Sequence, residues 1–117
     1  MSVTITHLDD CEIAGNWRLL RRTLGVKSFG LNLVEIPPGE RIPEHDEVQR
    51  DQEEVFCVIS GHPTLVIDGQ ENPTSPGTFA RLDPRHARTV HNDRDQPARV
   101  LILSAPRTSG YQPMEWA

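Results

Sequence analysis

The sequence predicts an all-β fold, a small sandwich or barrel, on three observations. Short runs rich in β-branched and other apolar residues recur at near-regular spacing. Clusters of Pro, Gly, Asn and Asp separate them, with ten prolines and eight glycines in 117 residues. Only one short stretch carries a helical period. Strands of this length punctuated by turns are the pattern of closed or double-sheet β architectures.

Taken in order, the first element is the helical stretch, "NWRLLRRTLG" (16–25). Trp17, Leu20 and Leu24 fall on one helical face and Gly25 supplies a stop. A strand over the same residues competes with it. "SFGLNLVEI" (28–36) alternates, with Asn32, Val34 and Ile36 on one face and Leu31, Leu33 and Glu35 on the other. An amide at Asn32 on the inner face needs a partner: protein, water or ligand. "EVFCVIS" (54–60) puts Glu54, Phe56 and Val58 on one face and Val55, Cys57 and Ile59 on the other, so both faces are covered. "TLVID" (64–68) leads into Asp68-Gly69, a hairpin turn because its central residues take positive φ. "TFARL" (78–82) and "RVLILS" (99–104) complete the strand set. The tail "SAPRTSGYQPMEWA" has no period but carries Tyr111 and Trp116, which reads as an arm docked on its own barrel or on a partner. The domain plan is a 1–27 segment packing on a 28–106 barrel, with a 107–117 arm.

Net charge is −5 and the pI is near 5.4, an acidic balance that argues against nucleic acid or an anionic membrane as partner. No apolar run approaches a membrane span, and "MSVTITHLDD" lacks the basic and apolar regions of a signal peptide. Cys11 and Cys57 have neither CxxC spacing nor a disulfide framework, so a reduced cytoplasmic setting is expected. A domain this small gains from dimerisation.

Two spaced motifs carry the chemistry. Gly39, five residues, then His45-Asp46-Glu47 is followed by Glu54, six residues and Gly61. Downstream, Gly77 and Asn92 bracket Asp83, Arg85 and Arg88. Over about residues 28–106 the chain resembles a single-domain cupin, whose first motif reads G-x5-H-x-H-x3,4-E-x6-G and whose second reads G-x5-P-x-G-x2-H-x3-N. "EEVFCVISG" followed by "TLVIDG" is typical of that family. The resemblance implies a small jelly-roll, or double-stranded β-helix, barrel. It also implies that His45, Glu47, Glu54 and position 88 converge in the barrel mouth, where relatives place three histidines and a glutamate around a metal.

This chain departs from the pattern where it matters. The second histidine is Glu47, the gap from Glu47 to Glu54 is long, and the last histidine is Arg88. A carboxylate can replace a ligand histidine, and one histidine with two carboxylates suits Mn or Fe. A guanidinium has no lone pair to offer. The favoured expectation is therefore no cofactor, with Arg88 standing in for the metal's charge and pairing Glu54 or Glu47. The competing expectation turns Arg88 outward and recruits His86, so that His45, Glu47, Glu54 and His86 hold Mn, Fe, Zn or Ni. His45 alone would otherwise be a rim histidine, and Arg50, Asp51 and Glu53 a solvated charge run.

Three functions remain open. One is a binding protein whose pocket of His45, Glu47, Glu54, Arg88, Asn32, Phe56 and His86 takes a small polar ligand. Another is an enzyme, either metal-dependent (dioxygenase- or isomerase-like) or using acid–base chemistry by His45 with Glu54. The third is a homodimer without turnover. The fold itself selects no reaction.

Overall fold

The computed structural model describes residues 2–117, and its regular secondary structure is almost all strand. After a 3-10 turn at Leu8–Asp10 come β1 (Ile13–Ala14), β2 (Trp17–Arg18) and a one-turn helix α1 (Leu20–Leu24). The ambiguous stretch at 16–25 thus divides: Trp17 and Arg18 pair with Val34 and Leu33, and helix begins only at Leu20. Gly25 ends it in the left-handed conformation, its N–H donating to the Arg21 and Arg22 carbonyls.

Next come β3 (Gly30–Ile36), β4 (Gln52–Ser60), β5 (Thr64–Ile67), β6 (Gln70–Pro73), β7 (Phe79–Leu82), β8 (Arg88–His91) and β9 (Ala98–Pro106). They form a six-stranded sheet, β1-β2-β3-β9-β4-β7, facing a three-stranded one, β6-β5-β8. All pairings are antiparallel. The segment before β4 extends the smaller sheet, because Arg41 bridges His91 and His45 bridges Arg88. Asp68 and Gly69 turn β5 into β6 with φ of 50° and 80°, the double positive φ of a type I′ turn.

The core lies between the sheets. Val34 and Ile36 of β3, Phe56 of β4, Leu65 of β5, Leu82 of β7, Val90 of β8 and Val100 and Ile102 of β9 form one buried cluster with Ile42. Two positions close one end of it. Gly61 turns the chain after β4 at φ 82°, where an added Cβ would come within 2.8 Å of the Ala98 Cα. Asn92 is fully buried; its amide donates to the Ile36 and Gln96 carbonyls at 2.8 and 2.7 Å, while its Oδ1 accepts from the Arg94 N–H. This clamp spares three loop backbone groups from burial without a partner.

Candidate functional site

At the other end of the barrel the core gives way to polar groups. β4 enters with Glu54 inward, on the same face as Phe56 and Val58. Opposite it, Arg88 opens β8 on the same face as Val90. His45 is brought in by backbone pairing: its N–H donates to the Arg88 carbonyl at 3.0 Å, and the Arg88 N–H donates to the His45 carbonyl at 2.8 Å. Residues directly opposed in an antiparallel pair present their side chains to one face, so His45 and Arg88 both face inward.

The long gap between Glu47 and Glu54 does not swing Glu47 away. The extra residues form a turn over 48–51, closed by the Gln52 N–H donating to the Glu47 carbonyl, and Asp51 sits in it at φ 50°. A second tie, the Glu47 N–H to the Pro84 carbonyl at 2.9 Å, holds Glu47 inward and buried.

His45 Nε2 lies 3.5 Å from Glu47 Oε1 and 3.5 Å from Glu54 Oε1. One donor atom from each residue falls within 4.8 Å of the other two. The other imidazole nitrogen, Nδ1, is 3.1 Å from the Pro43 carbonyl. A carbonyl only accepts, so Nδ1 carries a proton, and Nε2 is the nitrogen that faces the two carboxylates.

Arg88 is wholly buried behind this group. Its Nη2 donates to the Asp83 carbonyl at 2.6 Å, and its Nη1 stands 3.6 Å from Glu54 Oε1. That contact is an ion pair without a hydrogen bond, not the bidentate fork the motif suggested. Arg88 Nε, Arg88 Nη1 and Glu54 Oε1 have no hydrogen-bond partner. Burial, then the adjacent Glu47 carboxylate, push the Glu54 carboxyl above its ordinary value, while Arg88 and His45 pull it down.

Above the cluster opens a cavity of about 420 Å³. Trp17, Leu31, Ile42, Pro43 and Ile102 supply apolar wall; Asn32, Gln52 and Ser104 supply neutral polar groups. Arg50, at the rim, approaches Glu47 Oε2 at 3.4 Å.

Three residues assigned to the pocket do not line it: Arg88 lies behind the floor, and His86 and Phe56 lie elsewhere. His86 is half exposed and donates from Nδ1 to Asp68 Oδ2 at 2.6 Å. The β8 ladder starts at Arg88, so strand alternation does not extend back to His86, which rides on a turn. The four-ligand set that needed it is not assembled. Phe56 is part of the buried core beneath the site, not of the cavity wall. Among the lining residues not expected there, three are instructive. Trp17, on a stretch where helix and strand compete, is on a strand edge because Gly15 at φ 57° turns β1 into β2. Ser104 shares parity with Val100 and Ile102, a signal that was available. Gln52 precedes the expected strand by two residues.

With fold and site in view, the chain can be compared with known proteins. The sequence pattern described as "Cupin domain" matches residues 32–104. The chain belongs to the cupin family. Among solved structures, it is similar to a sugar phosphate isomerase of the cupin superfamily from Silicibacter pomeroyi, at 25% identity and a TM-score of 0.74, over 87% of this chain and 75% of that one. A cupin protein from Bacteroides fragilis is 19% identical at a TM-score of 0.74, covering 94% and 93% of the two chains. A predicted oxalate decarboxylase from Thermotoga maritima is 16% identical at 0.61, covering 66% and 65%. The last two show the fold alone. No curated protein matches significantly. Among the described residues no helix is long and apolar enough to cross a membrane.

Proposed function

We propose that this cupin binds a small polar ligand rich in hydrogen-bond donors, a polyol or sugar-like molecule, in the cavity above His45, Glu47 and Glu54. One observation carries the reading: the Glu47 and Glu54 carboxylates, which only accept, converge there with His45 Nε2 on one small volume. Such a floor is stable only if something supplies protons or positive charge. Hydroxyl groups do this, and a carboxylate accepts from two of them at once. Trp17, Ile42 and Ile102 would cover the carbon skeleton, while Asn32, Gln52 and Ser104 would satisfy outer hydroxyls. Arg88 holds a positive charge beneath Glu54 and offsets part of the burial and Glu47 charge that push its carboxyl up. The likeness to a sugar phosphate isomerase agrees with this ligand class.

The same convergence supports a second reading, a metal-dependent enzyme. His45, Glu47 and Glu54 fit one face of a divalent-ion site, and a bound ion there would act as a Lewis acid on a carbonyl or hydroxyl oxygen. Arg88 fits such a site poorly. It cannot ligate, and its Nη1 stands 3.6 Å from the Oε1 that would bind the ion. The repulsion at such range amounts to several kcal/mol at an effective dielectric near ~20.

Thermal unfolding of the full chain with a panel of sugars, polyols, their phosphates and apolar controls separates the readings. A hydroxylated ligand at about 100 times its Kd adds about 2.7 kcal/mol of stability. Glu54→Gln, which turns an acceptor into a donor, abolishes that shift. Shifts by Mn, Fe, Zn or Ni without any by polyols, or stoichiometric metal in protein purified without chelator, would establish the metal reading instead.

A further inference from the structure

His86 stands outside the cavity, yet the turn that carries it supports the cavity floor from behind. Two carbonyls of the 83–87 turn hold floor residues. The Pro84 carbonyl accepts the Glu47 N–H at 2.9 Å, and the Asp83 carbonyl accepts from Arg88 Nη2 at 2.6 Å. Glu47 arrives from the segment before β4, whereas Arg88 opens β8, so one turn steadies two separate parts of the chain. The bond to Asp83 is the one that the Arg88 guanidinium makes among the described residues, because Nε and Nη1 have no partner. Where the turn sits therefore sets how far inward Glu47 is held and where Arg88 lies beneath Glu54.

The turn has no ladder of its own to hold it. Arg85 only folds back within it, its backbone N–H and Nε each donating to Asp83 Oδ1 at 2.9 Å. From the outer side a single carboxylate ties it to the β5–β6 hairpin. Asp68 Oδ1 accepts the Ala87 N–H at 3.0 Å, and Oδ2 accepts from His86 Nδ1 at 2.6 Å. The Asp68 N–H returns the contact, donating to the Ala87 carbonyl at 2.8 Å. Both carboxylate oxygens are thus spent on the turn. The bonds from His86 and Ala87 keep Asp68 below the usual carboxylate range, as bonding to the charged form does, so it is ionised and accepts at both oxygens. Its base is firm, because Asp68 and Gly69 form the tight turn between β5 and β6.

We propose that Asp68 and His86 are positioning residues for the cavity floor: clamping the 83–87 turn from outside, they fix the two carbonyls that hold Glu47 inward and Arg88 beneath Glu54. Neither residue touches the ligand. The clamp rests on geometry alone; its consequence for binding rests on the ligand reading above. A floor of this kind tolerates little play, since a shift of about 1 Å in its supports is enough to loosen a site.

Amide hydrogen exchange of the ligand-free full chain reads the clamp directly. Both clamp side chains are half exposed, so His86→Leu leaves the core intact. In that variant the Glu47 amide exchanges faster by at least ~10-fold more than the amides at the centre of β3 and β9, which separates local release from lost global stability. His86→Asn, whose amide nitrogen stands near the place of Nδ1, restores the slow rate. Calorimetric titration with D-glucose and D-mannitol reads the consequence. Affinity falls at least ~10-fold in His86→Leu, the scale on which removed outer hydrogen-bond partners weaken a site, and returns in His86→Asn. Gln70→Ala, exposed on the same hairpin, changes neither readout. A Glu47 amide that follows the strand amides in His86→Leu overturns the clamp. A released Glu47 amide with undiminished affinity overturns the positioning role. A parent chain that binds neither compound counts against the ligand reading alone, and the exchange rates then decide the clamp by themselves.

Discussion

Replacing Arg88 by Met is the most informative single change in this protein. The side chain is wholly buried, so its charge is compensated from within or not at all. At 3.6 Å from Glu54 Oε1, a unit pair at an effective dielectric near ~20 attracts by about 4–5 kcal/mol before desolvation is counted. Met fills similar volume without charge, so the loss is chiefly electrostatic: Glu54 is left buried beside Glu47, and the Asp83 carbonyl loses its 2.6 Å donor. Breaking a buried pair from one side costs about 3–5 kcal/mol, a large part of the ~5–15 kcal/mol that holds a domain together. The expected deficit at pH 7 is about 3–5 kcal/mol by urea denaturation. Its pH dependence has a definite sign. Burial raises the folded-state value of Glu54, so its unfavourable contribution is fully present above that value and is relieved as pH falls through it. Loss of Arg88 raises it further, so the deficit narrows on acidification. Glu54→Gln in the same chain removes the unpaired charge and restores most of the stability. A cost below ~1 kcal/mol, or an equal cost in the Glu54→Gln background, would refute the view that Arg88 compensates Glu54.

Other substitutions probe the frame. Gly61→Ala and Gly69→Ala impose nearly the same positive φ, 82° and 80°, but only at Gly61 does the new Cβ meet backbone. Gly69→Ala should cost about 1 kcal/mol and Gly61→Ala about 2 kcal/mol more in equilibrium unfolding; equal costs would show that the approach to Ala98 is unimportant. Asp68 is held below the usual carboxylate range by hydrogen bonds from His86 and the Ala87 N–H. Its contribution is present above the unfolded-state value near ~3.9 and is lost as pH falls through the lower folded value. Asp68→Asn, chosen because Asn tolerates the φ of 50°, should lower the unfolding midpoint at pH 7 and converge with the parent chain as pH falls through that lowered folded value.

The legible part of this molecule is the part governed by strict alternation. β3, β4 and β9 are long, and a two-residue period over seven to nine residues leaves little freedom in which side chains face inward; Asn32, Glu54 and Phe56 followed directly. Shorter elements obey no such pattern. β1 and β2 have two residues each, too few for any period, so the apolar spacing leaves helix and strand competing at Trp17; the helix begins three residues later. His86 failed for a related reason: parity counted back from Arg88 assumes strand, and the chain there is turn. Gln52 and Arg50 reach the cavity because the 48–51 turn folds back on itself, and that turn is set by ties to Pro84 and Arg107 from distant sequence.

The same limits explain why the character of the site rests on side-chain details that no motif encodes. Register alone sets position 88 opposite position 45, whatever residue stands there. Whether the floor attracts protons, metal or ligand depends on which imidazole nitrogen is free, and the Pro43 carbonyl decides that from two residues away. It depends equally on the guanidinium, which lies beneath the floor and does not open into the cavity. There it cannot read a ligand's anion, but it pulls the Glu54 carboxyl down against burial and the charge of Glu47, which push it up. A site built this way points two carboxylates and one imidazole nitrogen at one small volume, and on the proposed reading that arrangement favours a ligand bringing donors over one bringing acceptors.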